Sequence, residues 1–274
     1  MWLTPLPTVA RTLVESVSAR SAILSTDPTI LVQLLVFGIL LGSIYALVAL
    51  GLTMIFGVMD IINLAHGALM VVGMYTVWVV ATTLGVSPFL GIPLAVLVVG
   101  VLGAIIYLTT VAPFMGETGT NENYLIVTIG WLLILVSGMQ IVFSPASRSL
   151  DLELGSLEFG GVFIPGARLF GLVVAVSAVA VMFRFLWYTP LGRAIRATAD
   201  NRTSAKYVGL NIRRIDTLTF AIGAGLAGLA GAIIPFLQQF DPYLGNFYLV
   251  TAFVTVVLGG LGSFRGALVG GLFL

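Results

Sequence analysis

Residues 31–57 read LVQLLVFGILLGSIYALVALGLTMIFG, a run of 27 residues without any Asp, Glu, Lys or Arg. A helix that rises about 1.5 Å per residue would make this run about 40 Å long, whereas the hydrocarbon core of a bilayer is about 30 Å thick. Such a helix must tilt or break inside a membrane. The run therefore predicts an integral membrane protein.

The composition of the whole chain agrees with that prediction. Charged residues make up 8% of the 274 residues and apolar residues 59%, against about 25% and about 45–50% in soluble domains. Further apolar segments follow the first, at 67–84, 89–112, 125–143, 168–187, 217–237 and 247–261, and an eighth begins at Gly266. We predict an all-α, polytopic helical bundle with about eight transmembrane segments, some of them short or broken.

The two ends of the chain are predicted to differ from its middle. Residues 1–30 are interrupted by prolines and acidic residues, so we expect an N-terminal tail, with the transmembrane domain covering residues 31–274. The last apolar segment stops at Leu274 after only nine residues, which is too short to cross a bilayer. A re-entrant end or a truncated one would explain this length, and we expect truncation.

Six of the twelve basic residues lie between Tyr188 and Asp216. Loops rich in Lys and Arg stay in the cytoplasm, so this segment is predicted to lie inside, residues 113–124 inside, and residues 144–167 outside. In the outer loop, polar and apolar residues alternate from 150 to 154, and a second apolar run, 162–164, follows Gly160-Gly161. This pattern predicts a small hairpin, with an irregular loop as the alternative.

The basic segment also contains the pattern of two short helices. The second is predicted from Arg202 to Val208, with Asp200 or Asn201 as its N-cap and Gly209 as a left-handed C-terminal residue. So short a helix is unstable alone in water. It is either a solvated topology anchor or a contact element for a cytoplasmic protein, formed by Arg202, Thr203, Ser204, Ala205, Lys206, Tyr207, Val208 and Gly209.

Two further features interrupt the apolar pattern. Asn63 and His66, at the junction of the first two apolar segments, either line a polar pocket or tie the start of a helix to its neighbour, with Asn63 as the cap. Glycines surround residues 263–265 on both sides, which predicts a broken helix or a tight re-entrant turn.

Several classes of function are excluded by what the sequence lacks. With one histidine and no cysteine, the chain offers no catalytic constellation and no metal site, and we predict neither an enzyme nor a cofactor. Lys206 is the sole lysine and does not lie in a phosphate-binding loop. A basic segment between membrane helices does not suit nucleic acid. Apart from Arg184, and Arg168 at the first position of the same segment, the predicted spans hold no charged residue for a proton relay.

Several separated motifs resemble the permease subunits of branched-chain amino acid ABC importers. They occur in the family's order, from about Val32 to Leu274: INLAHG at 62–67, GRAIRA at 192–197 with GLN at 209–211, the small residues of 223–231, and LGGLGS at 258–263 with Gly266-Ala267. The acidic loop at 113–124 departs from the commonly basic loop of the family.

The resemblance implies one membrane half of an ATP-driven importer in the plasma (inner) membrane of a prokaryote. Its partners would be a second permease subunit, two cytoplasmic ATPase subunits and an extracytoplasmic substrate-binding protein, and residues 202–208 look like the coupling helix that docks on an ATPase. The implied cargo is a branched-chain amino acid or a related small polar solute. The alternatives are a urea or short-chain amide permease, and a self-contained channel or secondary carrier.

Overall fold

The structure is a computed structural model that describes residues 28–114, 121–150, 154–159 and 161–274. Within these ranges the chain forms ten α-helices and one two-stranded sheet. The helices are α1 (Pro28–Met59), α2 (His66–Thr82), α3 (Pro88–Ile106), α4 (Asn121–Phe143), α5 (Gly166–Tyr188), α6 (Pro190–Asp200), α7 (Arg202–Tyr207), α8 (Ile212–Ile233), α9 (Leu244–Gly259) and α10 (Phe264–Phe273). A π-helical segment, Tyr107–Val111, and a 3-10 turn, Ala112–Phe114, extend α3, and a 3-10 turn, Ile234–Phe236, extends α8.

Each of the eight predicted apolar segments is a helix, so the predicted all-helical, polytopic architecture is confirmed. Among the described residues, five helices are long and apolar enough to cross a membrane. The count is six if α9 and α10 together form one bent span, and α2, with 17 residues, is a shorter apolar helix. The helix α1 runs unbroken over 32 residues, so it is longer than the about 30 Å hydrocarbon core of a bilayer, and a tilt would accommodate it.

The predicted break near residue 263 is present between α9 and α10, whose axes differ by 115°. Gly260 has φ +87° and Gly262 has φ +80°, a left-handed backbone region that residues with a Cβ adopt only at a cost. The side chain of Ser263 accepts a hydrogen bond from the Gly266 N–H and thereby caps α10. Local residue chemistry therefore explains both the break and the new start.

The centre of the bundle is α8, which packs against α1, α2 and α3. At these crossings glycines let backbones approach closely. A Cβ on Gly223 would meet the carbonyl oxygen of Gly51 on α1 at 2.8 Å, and a Cβ on Gly228 would meet the carbonyl oxygen of Ala95 on α3 at 2.9 Å. Small residues at helix interfaces are typical of membrane proteins, because lipid provides no hydrophobic drive between helices.

The predicted hairpin is present. Strand β1 (Ser156–Phe159) pairs antiparallel with β2 (Val162–Pro165). The alternating residues 150–154, which were expected to form the first strand, precede β1, and residues 151–153 lie outside the described ranges. The amide of Gln33 on α1 accepts from the Phe163 N–H at 2.7 Å and donates to the Phe163 carbonyl, which fixes the hairpin to α1.

Residues 1–27, most of the predicted N-terminal tail, lie outside the described residues, as do 115–120 of the predicted inner loop.

The basic segment from 188 to 216 is largely helical. It folds as α6, whose N-cap Thr189 accepts a hydrogen bond from the Gly192 N–H, followed at once by α7. This places two short helices between the long helices α5 and α8.

Candidate functional site

The short helix α7 has well-defined ends. The side-chain oxygen of Asn201 accepts a hydrogen bond from the Ser204 N–H at 2.8 Å, so Asn201, and not Asp200, is the N-cap. At the other end, Gly209 has φ +86°, and the N–H groups of Gly209 and Leu210 donate to the carbonyls of Lys206 and Ala205. This is the Schellman arrangement, in which a left-handed glycine ends a helix.

The outward face of α7 combines charge with large apolar side chains. Tyr207 is 86% exposed and Val208 76% exposed, and the exposed Thr203, Ser204 and Lys206 lie beside them. Ala205 is the residue of this helix that is buried in the described structure. Exposed aromatic and aliphatic side chains beside a cation, on a basic segment outside the apolar spans, are typical of a contact with another protein.

Arg202, by contrast, points toward the bundle. Its guanidinium donates to the Val58 carbonyl at 3.1 Å and forms an ion pair with the Asp216 carboxylate. Asp216 is 1% exposed and also accepts a hydrogen bond from the Tyr107 hydroxyl at 3.1 Å. The guanidinium of Arg202 is thus held by contacts within the chain.

No role for Asp216 was predicted from the sequence. Asp216 was placed at the end of a polar loop, just before the apolar segment predicted at 217–237. The predicted spans contained no carboxylate, and the set of charged residues assigned to them was therefore incomplete, because Asp216 lies inside α8 and is buried. One feature of the sequence could have indicated that Asp216 lies inside a helix. Asn211, five residues earlier, is a typical N-cap residue, and its side chain accepts a hydrogen bond from the Arg214 N–H at the start of α8.

A cleft of about 1020 Å³ opens beside α7. Its walls come from α7, the start of α8, the extension of α3 and the start of α4, and the polar side chains on them include Tyr107, Tyr124, Arg202, Lys206, Asn211 and Arg213. Among the described lining residues, the three cations Arg202, Lys206 and Arg213 outnumber the carboxylate of Asp216, so this part of the cleft favours a partner or ligand that carries negative charge. Within the described ranges, no three His, Cys, Asp or Glu side chains lie close enough to hold a metal ion.

Asn63 and His66 are both fully buried, and neither lines this cleft. The ring Nε2 of His66 lies 3.2 Å from the Val48 carbonyl oxygen of α1, across the junction of α1 and α2. Asn63 is not the N-cap of α2, which was an incorrect prediction. Ala65 occupies that position, and the Asn63 side chain accepts from the Ala65 N–H at 3.1 Å, because the chain makes one more turn before the helix begins.

Replacing His66 with alanine is expected to lower the melting temperature in detergent and the yield of folded protein. The change removes the contact with the Val48 carbonyl and leaves a cavity in a closely packed junction, at a cost of about 2–3 kcal/mol. His66→Gln, whose side-chain amide can donate to the same carbonyl, should lower the melting temperature and the yield less. An unchanged melting temperature together with a loss of transport would instead place His66 on the solute pathway.

The chain is similar to a known protein family over most of its length. The profile of "Branched-chain amino acid transport system / permease component" matches residues 34–274. The chain is 33% identical to the high-affinity branched-chain amino acid transport system permease protein LivH of Escherichia coli strain K12, over 86% of this chain and 81% of that protein. No solved structure matches it significantly.

Two other relatives extend this picture. The permease protein BraD of Pseudomonas aeruginosa is 32% identical over 88% of this chain and 83% of its own length. A second permease protein of the Escherichia coli system, LivM, is 27% identical over 81% of this chain and 58% of its own length. Both are described as components of high-affinity branched-chain amino acid transport systems.

Proposed function

The chain belongs to the family of branched-chain amino acid transport permease components, and from that membership we propose that it imports branched-chain amino acids or a related small polar solute as one permease subunit of an ATP-driven transporter. It contributes the membrane passage, and ATP hydrolysis takes place on other subunits. The substrate class rests on the relatives, whose names specify branched-chain amino acids.

The observation that carries the proposal is the shape of α7 and the exposure of its side chains. A six-residue helix with a side-chain cap at one end and a left-handed glycine at the other presents two large apolar side chains away from the bundle. An isolated helix of this length is unstable, and its outward face suits a groove on a second protein. We assign that groove to a cytoplasmic ATPase subunit, with Arg202, Thr203, Ser204, Ala205, Lys206, Tyr207, Val208 and Gly209 as the coupling segment.

The remaining partners follow from the same assignment. A second, related permease completes the passage, two ATPase subunits bind at the cytoplasmic side, and a binding protein delivers the solute from outside, in the plasma membrane of a prokaryote. Support for a second permease comes from the similarity of the chain to two different permease proteins of one bacterial system. The basic residues around α7 support its cytoplasmic placement.

Mechanically, the proposal requires that a movement of the ATPases reaches the membrane helices through α7. Closure of the ATPases on ATP would shift α7, and the bundle would change between outward-open and inward-open states. Asn63 and His66 hold the α1–α2 junction in this scheme and take no part in binding the ATPase.

Changing Tyr207 and Val208 together to aspartate is expected to weaken capture of the ATPase subunits about tenfold or more, because both apolar contacts are lost and two carboxylates are introduced. The measurement is co-purification of co-expressed ATPases with the tagged permease in detergent. Leu157→Asp is the matched control, since Leu157 is also more than half exposed but lies on the outer hairpin. Equal capture by all three proteins, or no capture by the unmodified chain, would contradict the coupling role and the cytoplasmic placement of α7.

A further inference from the structure

One guanidinium joins α7 to the membrane helices. Arg202 is the first residue of α7. One of its terminal nitrogens donates to the carbonyl of Val58, the penultimate residue of α1, at 3.1 Å. The other terminal nitrogen is bonded to the carboxylate of Asp216 in α8.

The same carboxylate reaches a third membrane helix. The Tyr107 hydroxyl donates to Asp216 at 3.1 Å, and Tyr107 opens the π-helical segment that extends α3. The inner ends of α1, α3 and α8 therefore meet at the pair of Arg202 and Asp216: the Val58 carbonyl of α1 binds Arg202, and Tyr107 binds the buried carboxylate of Asp216.

The chemistry of these groups keeps them together. A guanidinium presents donors in a planar fork and can bond two acceptors in different directions, which an ammonium group cannot do in the same geometry. The Val58 carbonyl is among the last four of α1, which have no partner within the helix and lie at the negative end of the helix dipole. Separating Asp216 from its cation would leave a buried charge without compensation, which is strongly unfavourable.

We propose that Arg202 and Asp216 are positioning residues that make the inner ends of α1 and α8 follow α7 during transport. The inference rests on the proposed function, because the force on α7 comes from the ATPase subunits. The outward residues Tyr207 and Val208 receive that force, and the pair of Arg202 and Asp216 transmits it to the bundle.

Transport per ATP hydrolysed tests this role directly. In vesicles that contain the complete transporter, Asp216→Asn should lower the amount of radiolabelled leucine moved per ATP hydrolysed by about tenfold, a loss within the range for directly contacting residues, while the ATPases stay bound. Asparagine keeps the shape of the side chain but removes the charge. Arg214→Gln is the matched control, because it removes an exposed cation from the same segment.

Two variants separate transmission from mere folding. Arg202→Lys keeps the charge opposite Asp216 without the fork and should give an intermediate ratio. Arg202→Gln combined with Asp216→Asn leaves no uncompensated buried charge, so it should fold and assemble yet remain poorly coupled. A double variant with a normal ratio of leucine to ATP would overturn the inference, because the pair would then matter only for folding.

A second measurement needs no ATPase. The chain lacks cysteine, so spin labels can be placed at Tyr207→Cys and at Val142→Cys, which is exposed near the far end of α4. We expect a narrow distance distribution in the unmodified background and a broad one with Asp216→Asn. Unchanged distances and an unchanged leucine-to-ATP ratio would overturn the inference alone, whereas an unmodified chain that binds no ATPase would overturn the proposed function and the inference with it.

Discussion

Replacing Gly231 with valine is expected to abolish the recovery of folded protein from the membrane. Gly231 lies in α8 where it crosses α2, and a Cβ there would collide with the carbonyl oxygen of Met70 and lie 2.8 Å from its carbonyl carbon. Both obstacles are backbone atoms of a packed helix, so α2 and α8 must separate. Overpacking at such a site costs about 3 kcal/mol or more, a large part of the about 5–15 kcal/mol that stabilises a typical fold.

The measurement is the monodisperse fraction on size exclusion in detergent, together with the melting temperature of whatever survives. Gly138→Val is the matched control, because Gly138 also lies within the last two turns of a long apolar helix, α4, and a Cβ there would meet no atom within 4 Å. Gly138→Val should purify in nearly normal yield. Equal losses for both variants would mean that helix propensity, rather than the α2–α8 contact, limits folding.

Replacing Gly209 with valine is expected to leave insertion and folding intact while transport falls about tenfold. A Cβ at Gly209 would meet nothing within 4 Å, so the whole effect comes from the backbone, whose φ is +86°. A β-branched residue in that region carries a penalty of about 1–2 kcal/mol, and 1.4 kcal/mol corresponds to about tenfold in an equilibrium. The end of α7 would fray, and Tyr207 and Val208 would lose their fixed position.

Gly85→Val provides a control with nearly the same chemistry. Gly85 also has a positive φ, +64°, and open space around a Cβ, but it lies between α2 and α3, at the opposite end of α3 from Tyr107. Uptake of radiolabelled leucine and capture of the ATPases should therefore be normal in Gly85→Val and impaired in Gly209→Val. Similar uptake in both variants would remove α7 from the transport mechanism.

The features that could be predicted from the sequence have local physical causes. The helix α1 follows from an uninterrupted apolar run, and the break between α9 and α10 follows from clustered glycines. Likewise, α7 has its cap, Asn201, and its terminal glycine, Gly209, within a few residues of its ends. In each case the interactions that define the element lie within one or two helical turns.

The buried residue that was missed, Asp216, depends on segments far apart in the chain. Asp216 was expected in a polar loop, yet it is buried because α7 folds back against it and because Tyr107, 109 residues earlier, supplies a hydroxyl. Asn63 was expected to cap α2, but a turn lies between Asn63 and the first helical residue, so Ala65 is the N-cap.

The sequence by itself determined that this chain is a helical membrane protein, where its helices lie, and where α7 begins and ends. Apolar length, caps and glycines act over a few residues, so they can be recognised without knowledge of packing. The tertiary structure alone decided that Arg202 faces inward while Tyr207 and Val208 face outward. That division depends on a buried carboxylate of α8 and a carbonyl at the end of α1, which meet α7 only when the bundle has packed.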